Sequence, residues 1–112
     1  PLQALALMNE VTYVEASKKF AERMILEGKT VEQAVTWGFR SATSRFPEAK
    51  ELEILLSGYR KRFALYLQNP QAAEALLSQG ESLVADHLPK GQLAALTTVA
   101  SVILNLDEVI NK

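Results

Sequence analysis

The chain has 112 residues, of which 48% are hydrophobic and 22% charged, with 12 basic and 13 acidic side chains, one histidine and no cysteine. A chain of this size buries roughly two-thirds of the surface that its unfolded form exposes, so a single domain can fold without disulfides or metals. The net charge of -1 argues against nucleic acid as a partner, because nucleic-acid-binding domains carry a clear excess of lysine and arginine. The absence of cysteine excludes disulfides and thiolate sites.

The ends of the chain predict a fragment of a longer protein. The sequence begins at Pro1 rather than methionine, and no charged and then apolar leader precedes the domain. The longest uncharged run, residues 91–106, has sixteen residues, whereas a membrane-spanning helix needs about twenty. We therefore expect one domain over residues 1–112, a fragment of a longer chain, without a membrane span.

The first two predicted helices meet near Asn9. A short apolar helix covers residues 2–8, and Asn9 caps a second helix over residues 10–27, which Gly28 ends as a C′ residue. An apolar face with a spacing of three or four residues follows the second helix, and charged residues that include Lys18 occupy its remaining surface. The predicted apolar face consists of Tyr13, Ala16, Phe20 and Met24.

The third and fourth helices have clear start signals. Thr30 followed by Gln33 is a capping-box pattern, which begins a third helix that runs to about Thr43. The short link of Gly28 and Lys29 predicts an antiparallel hairpin with the second helix. A proline at position 47 suits the start of a fourth helix, whose apolar seam continues for about five turns. The seam consists of Leu52, Leu55, Leu56, Tyr59, Phe63, Tyr66 and Leu67.

The C-terminal part of the chain predicts two more helices. Asn69 and Pro70 end the fourth helix and begin a fifth, with Asn69 as N-cap and Pro70 in the first position, and Gly80 ends the fifth helix. Residues 81–92 form the longest loop, and the last helix, residues 93–109, is apolar on every side along most of its length. Such a helix favours the centre of the bundle; the alternative is a helix half-covered here and completed by a part of the parent chain.

Strand signals are absent from the sequence. No Asn-Gly or Asp-Gly turn joins alternating β-branched runs. The expected fold is therefore all-α, a compact bundle of five to six helices with the apolar C-terminal helix at or near its centre.

Few side chains offer catalytic or metal chemistry. Any nucleophilic triad would have to form around His87, and the adjacent pair Asp86 and His87 is more typical of a solvated loop. No Glu-x-x-His motif occurs, which argues against a di-metal site in the bundle. Glu48, Glu51 and Glu53 are typical of a helix start, where carboxylates complement the dipole. We predict no catalytic, metal-binding or cofactor-binding residue and no cofactor.

Three other groups of residues are candidates for contacts. Asp107 and Glu108 lie near the end of the last helix, where negative charge opposes the dipole, and act either as a cap or in a contact. The cluster Arg60-Lys61-Arg62 on the outer face of the fourth helix lacks interleaved aromatic residues, so it is a weak signal for nucleic acid or phosphate. Trp37, Ile54 and Leu65 lie off the predicted seams and mark either a contact surface or ordinary exposed apolar groups.

Several segments, read together, resemble one family. The sequence contains, in this order, Pro1-Leu2-Gln3-Ala4-Leu5, Met8-Asn9, Val14-Glu15-Ala16, Phe20-Ala21-Glu22-Arg23, Arg45-Phe46-Pro47 with Glu51-Leu52, Leu76-Leu77 with Gly80-Glu81, and Leu104-Asn105-Leu106-Asp107-Glu108. They resemble the C-terminal part of the planctomycete-type domain of unknown function, number fifteen fifty-three in its naming scheme, over residues 1–110. The chain departs from the usual pattern at Thr43-Ser44-Arg45, where Leu-Gly-Arg is usual, and at Leu96, where an aromatic residue is common.

The resemblance implies a context rather than an activity. Such domains close large exported bacterial proteins that often carry a haem-binding cytochrome c-like domain, so the expected partner is the remainder of the parent chain and the expected location is the cell envelope. The family supplies no catalytic residues, and without a Cys-x-x-Cys-His motif this segment does not itself attach haem.

Two hypotheses about function follow from the residues and the resemblance. The leading one is a helical structural or interaction domain without catalytic activity of its own. In the alternative, Asp107, Glu108 or Arg45 completes an active site built mostly by the upstream domains. The oligomeric state stays open.

Overall fold

The computed structural model describes residues 11–79 and 89–110, and these two ranges contain five helices and no strand. The helices are α1 (Val11–Glu27), α2 (Val31–Thr43), α3 (Ala49–Gln68), α4 (Pro70–Leu77) and α5 (Lys90–Ile110). The predicted all-α bundle is confirmed for this part of the chain. The helix expected over residues 2–8 lies outside the described residues, as do Asp86 and His87 of the expected loop.

α5 is the central helix, because it packs against each of the other four. Its side chains are buried without interruption from Leu93 to Thr97, and Ile103 is buried a further turn along. Two hydroxyls of the central turns donate back to the helix itself, Thr97 Oγ1 to Leu93 O (2.7 Å) and Thr98 Oγ1 to Ala94 O (3.2 Å). The predicted central position is confirmed, although the helix begins at Lys90 rather than at residue 93. No described helix is long and apolar enough to span a membrane.

The turn between α1 and α2 has the predicted N-cap at Thr30, but the reciprocal bond of the expected capping box goes to Lys29 N instead of Thr30 N. Thr30 is the N-cap of α2, and its Oγ1 accepts a hydrogen bond from Gln33 N (3.1 Å). The Gln33 side chain reaches back to accept from Lys29 N (2.9 Å). The first bond satisfies an amide that a helix start leaves without a partner, and the second joins Lys29 to the first turn of α2, so the start of α2 is fixed locally.

Gly28 in this turn is required for a reason other than the one expected. Its φ lies outside the left-handed range, whereas a C′ glycine usually adopts a left-handed conformation. The backbone at the start of α2 instead passes so close that a Cβ on Gly28 would lie 2.3 Å from Ala34 N. The glycine allows α1 and α2 to pack directly against each other.

α1 turns a partly different face to the core than the spacing predicted: Met24 is buried as expected, but Ala16 and Lys18 are not placed as expected. Ala16 is exposed and Phe20 is only half-buried, whereas Lys18, expected on the surface, is 2% exposed. α1 packs most extensively on α5, and small buried side chains suit the close approach of two helices. The buried residues of α1 are Val14, Ser17, Lys18, Ala21 and Met24.

α3 and α4 follow the predicted punctuation with small differences. α3 begins at Ala49 with Glu48 as N-cap, so Pro47 precedes the helix instead of starting it. The predicted seam is wrong at Leu67, which is 63% exposed. Asn69 caps α4 as expected, with its Oδ1 accepting from Ala72 N (3.4 Å).

Candidate functional site

Lys18 is the one charged side chain buried among the described residues. Its Nζ donates to Leu77 O and to Gln79 O, both at 2.8 Å. Leu77 O is at the C-terminal end of α4 and Gln79 O lies two residues beyond it. A helix end leaves carbonyl groups without partners and carries partial negative charge. Lys18 therefore caps α4 from α1 and fixes these two helices to each other.

The ammonium group of Lys18 is partly stripped of water at this position. Burial lowers the pKa of Lys18 below its usual 10.5, while the carboxylates of Glu15 and Glu22 act in the opposite direction. Lysines with a lowered pKa serve elsewhere as bases or nucleophiles. Here the amine faces two backbone carbonyls and the residue is 2% exposed, which supports a role in holding the fold.

Arg45 and Glu51 join the end of α2 to the start of α3. The guanidinium binds the carboxylate through both terminal nitrogens, at 2.8 and 2.9 Å, and lies 4.9 Å from the centre of the Phe39 ring. Glu51 Oε1 also accepts from the backbone of Glu48 (2.8 Å). The predicted helix-start role of Glu48 and Glu51 is confirmed, and Glu53 is exposed on the same helix.

The bidentate pair accounts for the ionisation of Glu51. The side chain of Arg45, followed by the backbone amide of Glu48, lowers the pKa of Glu51 from 4.5 to about 2. Arg45 is thus held by a neighbour in its own chain, with 44% of its side chain exposed.

A pH-dependent stability follows from this lowered pKa. Because the folded-state pKa lies below the unfolded one, ionised Glu51 stabilises the fold fully above pH 4.5, and this contribution disappears as the pH falls to about 2. We expect Glu51→Gln to melt at a lower temperature than the wild type near neutral pH. The gap should close as the pH approaches about 2, in melts followed by circular dichroism.

Glu53→Gln is the matched control for this prediction, since Glu53 is exposed on the same helix. Its melting temperature should follow that of the wild type at every pH. A gap between Glu51→Gln and wild type that stays constant over the acidic range would contradict the role of the ionised carboxylate.

Trp37 lies at the edge of an open groove in which charged and aromatic groups meet. The ring is half-buried, 5.9 Å from the Phe20 ring, and the guanidinium of Arg23 lies 5.3 Å from its centre. Arg40 holds its guanidinium 4.4 Å from the centre of the Phe46 ring. The groove, called here the Trp37 groove, has a volume of about 370 Å³ and is lined by Trp37, Arg40, Ser41 and Ser44.

The shape of the chain at the end of α2 contributes to this groove. Ser44 has a left-handed backbone, with φ 64° and ψ 20°, and its N–H donates to Arg40 O (2.8 Å). Thr43 Oγ1 donates to Phe39 O (2.7 Å). Phe39 O and Arg40 O, near the end of α2, are therefore already satisfied where the groove ends.

The remaining candidates do not converge on one place that the structure describes. Ile54 and Leu65 are 66% and 46% exposed, and their contact role stays a prediction. Arg60 and Lys61 are exposed and Arg62 is half-buried.

The acidic and metal-ligating residues give no site within the described ranges. The side chains of Asp107 and Glu108 lie outside the described residues, so their predicted role as a cap or contact stays open. Among the residues that the structure describes, no three histidine, cysteine or acidic side chains come together to hold a metal.

Comparison with known proteins gives one result. Residues 1–59 match the model of PSD1, a protein family of unknown function (DUF1553). The match ends within α3, so the later segments of the resemblance, from Leu76 onward, lie beyond it. No curated protein and no solved structure matches the chain. Since the match covers more than half of the 112 residues, the chain belongs to the PSD1 family of proteins of unknown function.

Proposed function

We propose that this chain is a helical structural or interaction domain of a larger exported bacterial protein, without catalytic activity of its own. The observation that carries the proposal is that the charged side chains in hydrogen bonds and ion pairs join one helix to another. Lys18 joins α1 to α4, Arg45 with Glu51 joins α2 to α3, and Glu74 with Lys90 (2.7 Å) joins α4 to α5.

The pKa values support the same proposal. Shifted pKa values often mark catalytic groups, but the shifted basic and acidic groups here belong to contacts between helices. Lys90 lowers the pKa of Glu74, and Arg45 lowers that of Glu51. The raised pKa of Tyr59 follows from its burial against the core.

Hydrogen exchange tests whether the domain completes its own core. We expect the amides of α5 between Leu93 and Leu106 to exchange most slowly, because four helices pack on this one and opening it requires global unfolding. The short α4 should exchange faster. Native-state exchange read by mass spectrometry checks both expectations.

Weak protection of α5 beside well-protected α1 and α3 would contradict the proposal of a self-contained structural domain. It would mean that α5 requires a partner from another part of the parent protein. The reference is protection measured in α3, which is longer than α4 and packs extensively on α5.

The proposed lack of catalysis is tested in the longer protein. Arg45→Ala, Asp107→Ala and Glu108→Ala should alter stability or docking of this domain while turnover per folded molecule stays constant. Loss of turnover with folding and docking intact would overturn the proposal and favour residues that complete an active site built by upstream domains.

A further inference from the structure

The Trp37 groove presents an ordered set of side chains on one face of α2. Its lining residues are Trp37, Arg40, Ser41 and Ser44, the last of which is the C-cap of α2. Trp37 and Ser41, and likewise Arg40 and Ser44, are four positions apart and so lie one above the other along the helix. At 1.5 Å per residue, this face extends for about 10 Å. A single small anion would occupy only part of it, whereas three residues of an extended polypeptide would match its length, at about 3.3 Å each.

The guanidiniums of Arg23 and Arg40 are held by aromatic rings and not by carboxylates of the described residues. Arg23 lies over the Trp37 ring and Arg40 over the Phe46 ring. Neither forms an ion pair with any residue in the described ranges, whereas Arg45 is bound through both nitrogens to Glu51. An arginine held by its flat face on an aromatic ring keeps the N–H groups of its edge available for a carboxylate.

The surroundings favour an anionic partner over a cation. The hydroxyl-bearing Ser41 and Ser44 are exposed in the groove, and hydroxyls donate to carboxylates. Near the end of α2, Phe39 O accepts from Thr43 Oγ1 and Arg40 O accepts from Ser44 N. Because a helix end carries partial negative charge, the preference for an anion comes from the two arginines. Glu51, the carboxylate at the adjoining helix start, is already bound to Arg45.

We propose that the Trp37 groove binds an acidic polypeptide segment, with its carboxylates on Arg40 and Arg23 and an apolar side chain against the exposed part of Trp37. This inference rests on the proposed function as an interaction domain and names the chemistry of the partner. Positive charge in the groove and negative charge on the segment make the two surfaces complementary.

Trp37 is the only tryptophan in the chain, so its fluorescence and indole N–H resonance report directly on the groove. The probe is the peptide Glu-Glu-Phe-Glu-Glu, titrated against the full chain and followed by both signals. We expect a saturable change that weakens at least about tenfold when salt rises from about 50 to 500 mM. The peptide Gln-Gln-Phe-Gln-Gln should produce no saturable change.

Substitutions distinguish binding at the Trp37 groove from a general effect of positive surface charge. Arg40→Gln should weaken binding at least about fivefold, and Arg40→Lys, which keeps the charge but loses the two-pronged donor geometry, should give a smaller loss. Arg60→Gln removes a positive charge from the exposed surface of α3 and should leave binding unchanged.

The inference would be overturned by the absence of a saturable change with the acidic peptide, by an equal response to the glutamine peptide, or by an equal loss in Arg40→Gln and Arg60→Gln. Tighter binding of inorganic phosphate or of an oligonucleotide than of the acidic peptide would also overturn it. Hydrogen exchange of α5 in the same sample separates the two proposals. Failed peptide binding with a protected α5 rejects this inference alone, whereas an unprotected α5 rejects the proposed function.

Discussion

Replacing Lys18 by methionine is expected to lower the free energy of unfolding by about 2 kcal/mol. Methionine keeps an unbranched apolar stem but leaves Leu77 O and Gln79 O without the ammonium donor that now lies 2.8 Å from each. The loss of stability is limited to this value because methionine does not have to be dehydrated as a charge does. The lowered pKa of Lys18 shows that burying its ammonium group has such a cost. Urea unfolding followed by circular dichroism measures the difference.

Charge reversal at the same position should cost more. Lys18→Glu places a carboxylate against two carbonyl oxygens in a buried site, and we expect a loss of about 4 kcal/mol, a large part of the stability of a small domain. The matched control is Lys19→Met, since Lys19 is the exposed neighbour on the same helix, and its effect should stay within about 0.5 kcal/mol. Equal effects at the two lysines would show that Lys18 does not cap α4.

The limits of most helices could be predicted because their signals are local. Thr30 with Gln33, and Asn69 with Pro70, act within one turn of the chain, and the structure confirms both caps. The central place of α5 was also predictable, since a helix that is apolar on every side must be covered on every side. The seam failed at Leu67 because spacing alone does not show which side chains of the last turn of α3 reach the core: Tyr66 is buried there, whereas Leu67 is exposed.

The buried lysine could not be predicted from the pattern of α1. Its acceptor Leu77 lies 59 positions further along the chain, so the contact depends on how α1 and α4 pack. One signal was present: α4 has no basic residue in its last turn, and such a helix end gains from a cation supplied by another element. The spacing of α1 gave no reason to choose Lys18 over Lys19.

The Trp37 groove was visible in part. Trp37 lies off the apolar stripe of α2, which marks it in the sequence as a candidate contact residue. Its contact with Arg23 depends instead on how α1 and α2 cross. The left-handed turn at Ser44 carries no clear sequence signal, because glycine or asparagine usually occupies such a position. Long-range packing therefore decides which residues share this groove.

Replacing Gly28 by alanine should destabilise the fold by about 3 kcal/mol. The added Cβ would lie 2.3 Å from Ala34 N and 2.7 Å from Gln33 C. These are backbone atoms within the first turns of α2, so no side-chain rotation can relieve the clash. The turn would have to open and weaken the cap at Thr30, and urea unfolding should record a lower midpoint.

Gly58→Ala is the matched control, because a Cβ on Gly58 meets nothing within 4 Å. Gly58 lies in the interior of α3, where alanine is favoured over glycine by about 0.5–1 kcal/mol. The same substitution should thus stabilise the chain at one glycine and destabilise it at the other. A small loss at Gly28, comparable to the change at Gly58, would mean that the turn between α1 and α2 yields easily, and the close contact of these helices would not need glycine.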